Sequence, residues 1–129
     1  MNMELVDCKK KYWEFVRNLR NDERVKDGFI KSTQITEDMQ EAYMTVHYKN
    51  YRIALIDTIP VGYVGVIEDD IRICVHPAFQ KRGVGKFMIE EGMKIWPTAE
   101  GKVKLDNVAS MNLFKSCGFK EAYIIFKKL

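Results

Sequence analysis

The stretch from Ile71 to Lys86, IRICVHPAFQKRGVGK, constrains this chain more than any other. Ile71, Ile73 and Val75 alternate with Arg72 and Cys74, which predicts a β-strand that Pro77 stops. A polar loop follows, and a helix opens at Gly83-Val84-Gly85. The first backbone N–H groups of a helix have no intrahelical partner and lie at the positive end of its dipole, so a strand, a glycine turn and a helix start together form an anion cradle. Lys81, Arg82 and Lys86 add positive charge around the turn, as a ligand with more than one phosphate requires.

Spacing decides which phosphate ligand. A dinucleotide fingerprint needs a third glycine at the position of Met88, and a P-loop needs glycine at Gln80 and Ser or Thr at Phe87. Both readings fail. What remains is Gln80-Lys81-Arg82-Gly83-Val84-Gly85 after a strand and Val-His-Pro, which resembles the Q/R-x-x-G-x-G/A signature of the GNAT superfamily of acyl-CoA-dependent N-acyltransferases. A second block, NVASMNLFKSCGF from Asn107, is similar to the same superfamily's N-x-x-A/S-x-x-L-Y/F-x-x-x-G-F helix, in register at Asn107, Ser110, Leu113, Phe114, Gly118 and Phe119.

With 129 residues the chain is read as one domain, residues 1–129. Its 47% hydrophobic and 30% charged residues are ordinary for a soluble globular protein. The net charge of +3 is mild and its basic clusters form no continuous stripe, which argues against nucleic acid as a partner. Cys8, Cys74 and Cys117 are odd in number and lack metal-ligand spacing, so they read as reduced thiols in apolar settings, with no metal expected. No run is long and apolar enough to span a membrane and the start has no signal-peptide character, so a cytoplasmic protein is expected.

In chain order, Glu4 to Cys8 predicts a short strand, and Tyr12, Phe15, Val16 and Leu19 mark an amphipathic helix. Thr36 is positioned to cap a second helix with Met39, Ala42, Tyr43 and Val46 on one face. Tyr51 to Asp57, Val61 to Glu68 and the Ile71 strand follow as a meander. The helix after the glycine turn carries Gly85, Met88, Ile89, Gly92, Met93 and Trp96 on one stripe and closes at Pro97. Lys102 to Leu105 and Phe119 to Lys128 are expected strands on either side of the Asn107 helix. This order resembles the GNAT core: an α/β (α+β) fold with a mixed, mostly antiparallel sheet, flanking helices and a splay between central strands. It departs in its shortened C-terminus, because the family carries two strands after the Gly-Phe pair and ten residues follow Phe119 here. The acceptor side is then either more open or closed by a second subunit, as a homodimer.

The resemblance implies acetyl-CoA as cosubstrate, with its pantetheine arm along the backbone of Ile73, Cys74 and Val75 and its pyrophosphate on Gln80, Lys81, Arg82, Gly83, Val84, Gly85 and Lys86. It extends the contact to Asn107, Ser110 and Phe114, while Asn107 also suits a helix N-cap. His47 and His76 read as a surface histidine and a strand-end residue, and neither Cys74 nor Cys117 has a partner that would ionise it for acyl transfer. An amine with pKa near 10.4 is only about one part in a thousand neutral at pH 7. A carboxylate beside the thioester would help, and Glu68, Asp69 and Asp70 are the candidates, Glu68 first and the other two read rather as turn residues. The family's acidic tyrosine is replaced by Phe114, and Tyr123 on the expected last strand is the substitute. The expected function is direct acetyl transfer to a primary amine, with a nucleotide-linked amino sugar as acceptor. The alternatives are a protein or peptide amine, a small polyamine or antibiotic, or a silent acyl-CoA-binding module.

Overall fold

The alternating apolar runs in the middle of the chain pair as an antiparallel meander in the order β1-β2-β3-β4: β1 (Met3–Asp7), β2 (Tyr51–Ile56), β3 (Ile59–Ile67) and β4 (Asp70–Val75). The computed structural model describes residues 2–129. Both hairpins turn in two residues, Asp57-Thr58 (φ 48° and 72°) and Glu68-Asp69 (φ 51° and 62°). Left-handed backbone at both central positions matches the right-handed twist of the flanking strands. The first turn is tighter than the sequence suggests, because Ile59 and Pro60 belong to β3 and a register shift opposite Ala54 and Leu55 accommodates the proline.

Helices cover both faces of the sheet, which is why β2 and most of β3 are buried. One core joins α1 (Trp13–Asn21) and α2 (Glu37–His47) to the sheet through Val16, Leu19, Met44, Tyr51, Tyr63 and Cys74. The other gathers Ala54, Ile56, Val61, Val64, Val84 and Met88 beneath α3 (Val84–Ile95). The Thr36 cap forms as expected, its Oγ1 accepting from Met39 N at 3.1 Å. The buried face of α2 does not follow the expected stripe: Met39, Ala42 and Val46 face outward while Gln40 and Met44 are buried. Two polar contacts fix this rotation, Gln40 Nε2 donating to the Trp13 carbonyl at 2.8 Å and the Tyr43 and Tyr51 hydroxyls meeting at 2.6 Å. The α3 stripe holds, with Gly92 lying against Val64 and Trp96.

The expected strands at 102–105 and 119–128 are absent. After α3 the chain touches β4 at a single parallel bridge, Glu100 receiving from Ile71 N at 2.9 Å and donating to Asp69 O at 2.7 Å, and then leaves the sheet. Residues 119–129 run unpaired, with Tyr123, Ile125 and Phe126 exposed. Strand propensity is realised only where a neighbour supplies ladder bonds and side-chain pairs, and neither segment has a partner strand among the described residues. Between them, α4 (Val108–Ser116) ends in a Schellman motif. Gly118 at φ 89° donates to Lys115 O, Phe119 N donates to Phe114 O, and the two phenyl rings meet edge to face at 5.2 Å.

Candidate functional site

The loss of pairing beyond Ile71 exposes one edge of β4. Ile71 N donates outward to Glu100 and His76 N donates inward to Val61 O, so alternation along the strand points the N–H and C=O of Ile73 and Val75 away from β3. Cys74 lies between them with its backbone turned to β3. Their side chains alternate too. Ile73 and Val75 pack toward α3, and Cys74 joins the core under α1 and α2.

That open edge runs into the glycine turn. His76 Nδ1 accepts from Ala78 N at 3.1 Å and Pro77 opens a short 3-10 turn, which ends the strand and swings the chain outward. Lys81 (φ 63°) and Gly83 (φ 82°) then adopt left-handed backbone, and Phe87 N is the first to bond back, to Gly83 O at 3.0 Å. The N–H groups of Val84, Gly85 and Lys86 therefore form the unsatisfied first turn of α3. Gln80, Lys81, Arg82 and Lys86 are exposed around it, and among the described residues none of these cations enters an ion pair. The two glycines differ in purpose. A Cβ on Gly83 would meet nothing within 4 Å, so glycine serves the backbone there, whereas a Cβ on Gly85 would stand 2.9 Å from Leu113 Cδ2, so that glycine lets α3 approach α4.

A cleft of about 370 Å³ opens between the β4 edge, residues 102–103 and α4, and is lined by Ile71, Ile73, Asn107, Ser110 and Phe114. Asn107 Oδ1 accepts from Ser110 N at 3.1 Å, so its cap role is real. Phe114 is buried, and a Cβ on Gly101 would lie 2.5 Å from its ring, so the chain after β4 packs flush on the phenyl group. On the α1 side the cleft is lined by Phe29, Arg20, Tyr63, Asp70 and Arg72. Burial raises the Tyr63 phenol well above its ordinary pKa, and burial pushes the Cys74 thiol up to about 12. Cys74 is a thiol, not a nucleophile, near neutral pH.

The structure thus gathers Ile73, Asn107, Ser110 and Phe114 at one opening, with Val75 farther along the same strand edge toward the 80–86 turn. It does not bring Glu68 or Tyr123 there. Glu68 is exposed at the tip of the β3–β4 hairpin, and Asp70, two residues on, is the acidic side chain that lines the cleft, its Oδ2 accepting from Arg72 Nε at 3.0 Å. Tyr123 lies in the unpaired tail, 86% exposed. Arg20, Tyr63 and Arg72 carry no motif. Arg72 is legible only as the polar half of an alternating strand, and Arg20 as one residue of the first helix.

A meander sheet with one open edge, a glycine-opened helix and an α4 capped by Asn107 fit the architecture of acyl-CoA-dependent acyltransferases. The family described as the acetyltransferase (GNAT) domain matches residues 47–121, more than half of the chain, and the protein belongs to that family. Comparison with curated protein sequences finds no match. Among solved structures, the chain is similar to spermidine N-acetyltransferase from Vibrio cholerae in complex with CoA and spermine, with a TM-score of 0.79 and 18% identity over 94% of this chain and 82% of that one. It is also similar to an aminoglycoside N-acetyltransferase in complex with CoA (TM-score 0.72, 20% identity, 99% of this chain and 95% of that one). An N-acetyltransferase from Staphylococcus aureus Mu50 gives a TM-score of 0.79 at 14% identity, covering 95% and 86%. At such identities the likeness is one of fold.

Proposed function

We propose that this protein transfers the acetyl group of acetyl-CoA directly to a primary amine. The observation that carries the reading is the continuity of two unsatisfied backbone surfaces, the outer edge of Ile73 and Val75 and the first turn of α3 behind left-handed Gly83. An amide-bearing arm pairs with the first as an added strand, and a pyrophosphate receives the N–H groups of the second. Gln80, Lys81, Arg82 and Lys86 surround the phosphates, while Val84 and Gly85 contribute backbone and helix packing. Of the three strand residues, Ile73 and Val75 make the outward contacts and Cys74 spaces them. Asn107, Ser110 and Phe114 wall the thioester end. Two fold relatives were solved with CoA, which supports this choice of cosubstrate.

In the reaction the neutral amine nitrogen attacks the thioester carbonyl, the C–S bond of the resulting tetrahedral species breaks, and the nitrogen loses its remaining extra proton. Asp70 is the carboxylate placed to receive that proton, directly or through water, in place of Glu68. The departing thiol has a pKa near 8.5, so its thiolate leaves near neutral pH without strong acid help. Phe114 is then tolerated where the family carries a tyrosine. The same missing hydroxyl favours a second reading, a module that binds acetyl-CoA without turnover.

The acceptor is proposed to be a nucleotide-linked amino sugar, with a protein or peptide amine as the other class. The exposed tail, with Tyr123, Ile124, Ile125 and Phe126 free, supports closure of the acceptor side by a second copy in a homodimer. Three free cysteines fit a cytoplasmic setting. The test is mass spectrometry of protein and small molecules. Incubation with acetyl-CoA alone leaves the protein unmodified, and adding a pool of amines yields an acetylated amine. A stoichiometric acetyl adduct on Cys74 or Cys117 that an amine removes would overturn direct transfer.

A further inference from the structure

We infer that the α1 side of the cleft is an anion subsite, where Arg20 and Arg72 hold an oxyanion, carboxylate or phosphate, carried by the amine acceptor. The inference rests on the acetyltransferase reading above and adds to it the charge class of the acceptor.

Arg20 stands in the last turn of α1 with its guanidinium 4.7 Å from the Phe29 ring centre. Its Nε is buried without a hydrogen-bond partner, and among the described residues no carboxylate pairs with it. The neighbouring arginines are matched: Arg17 to Glu14 and Glu37, Arg24 to Asp22. Arg20 is half-buried at the wall of the cleft, its charge is felt by buried Tyr63 and Cys74, and no negative group is matched to it. Arg72 shares the cleft and gives only Nε to Asp70, so its terminal nitrogens are available as a second fork. Lys31 and Lys102 line the same opening.

The coenzyme does not account for these charges. Its phosphates belong at the start of α3, which packs on the opposite face of β4 from Arg72 and Cys74. The balance inside the cleft is four cations against Asp70, which is itself bound to Arg72. A polycationic acceptor, such as the polyamine in one fold relative, meets like charge there. An amine that carries an oxyanion meets a net positive cleft lined by Arg20 and Arg72.

The experiment measures acceptor binding to the CoA-saturated protein by calorimetry, which needs no turnover. The probes are β-alanine against β-alaninamide, phosphoethanolamine against ethanolamine, and spermidine. We expect the anionic member of at least one pair to bind about tenfold or more tightly than its neutral partner, and spermidine to show no binding; the pair that discriminates more identifies carboxylate or phosphate as the source. Arg20→Gln and Arg72→Gln each reduce that ratio to within about twofold, Arg20→Lys restores part of it, and CoA affinity stays unchanged. Equal binding within both pairs in the wild-type protein, or tighter binding of spermidine, overturns the subsite even where the variants fail to fold. Retention of the full ratio in a folded Arg20→Gln protein does the same. Loss of acetyl transfer to every amine would instead count against the enzyme reading, leaving these binding ratios to judge the subsite.

Discussion

Gly83 and Gly85 look alike in the motif and act differently in the structure. Gly83 has left-handed backbone and open space around its missing Cβ, so Gly83→Val strains one residue by about 1–2 kcal/mol and projects a side chain into the space where the pyrophosphate is proposed. Calorimetry is expected to show acetyl-CoA affinity reduced more than tenfold while the melting temperature drops by a few degrees; unchanged affinity would contradict the phosphate assignment. Gly85→Val is expected to lower stability through Leu113. The carboxylates separate in the same way. Asp70→Asn keeps the Arg72 contact and removes the proton acceptor, so kcat/KM falls roughly 10²-fold, whereas Glu68→Gln at the hairpin tip changes it less than about twofold. Equal effects at the two positions would return the base role to the turn. The glycines, the Asn107 cap and Phe114 were legible because their motifs fix backbone geometry. Asp70 was only a lesser candidate beside Glu68, since a two-residue turn at Glu68-Asp69 decides which acidic residue reaches the cleft, and a shift of one residue reverses the face.

At the scale of elements, periodicity located four strands and four helices, and the misses fell where packing overrode it. The α2 stripe of Met39, Ala42 and Val46 yielded to Gln40 and Met44 because a buried amide and a pair of tyrosine hydroxyls set the rotation. The segments at 102–105 and 119–128 have strand-like sequence without strand partners. The C-terminal end of α4 was readable as Gly-Phe and is explained by its cap. Gly118→Ala forces a Cβ into left-handed backbone and is expected to cost about 1 kcal/mol, with Gly118→Asn costing less, measured by urea unfolding. Thr36→Ala removes the α2 cap and is expected to cost about 0.5–2 kcal/mol. Gly118→Ala as stable as wild type would show that the Schellman turn contributes nothing.

The whole molecule carries buried acids that fold neutral. Burial raises Cys8 and Cys74 to about 12 from 9.0, and burial also raises Tyr51 and Tyr63. A folded pKa above the unfolded value means the native state holds more protons, so this part of the stability is intact below about pH 9 and declines as pH rises toward 12. The melting temperature is expected to fall through that window, and less steeply in Cys74→Ala; a flat profile would show that these groups ionise freely in the folded protein. The proposed function depends at this scale on one cleft between β4 and α4, with the coenzyme proposed on its α3 side and the amine on its α1 side. Its most direct test is free-thiol release from acetyl-CoA by the purified protein across a panel of amines that includes anionic ones. Thiol release is expected to require an amine, to saturate in it, and to be matched mole for mole by acetylated amine. Acetyl-CoA binding with no amine-dependent thiol release would contradict it and leave a silent acyl-CoA-binding module.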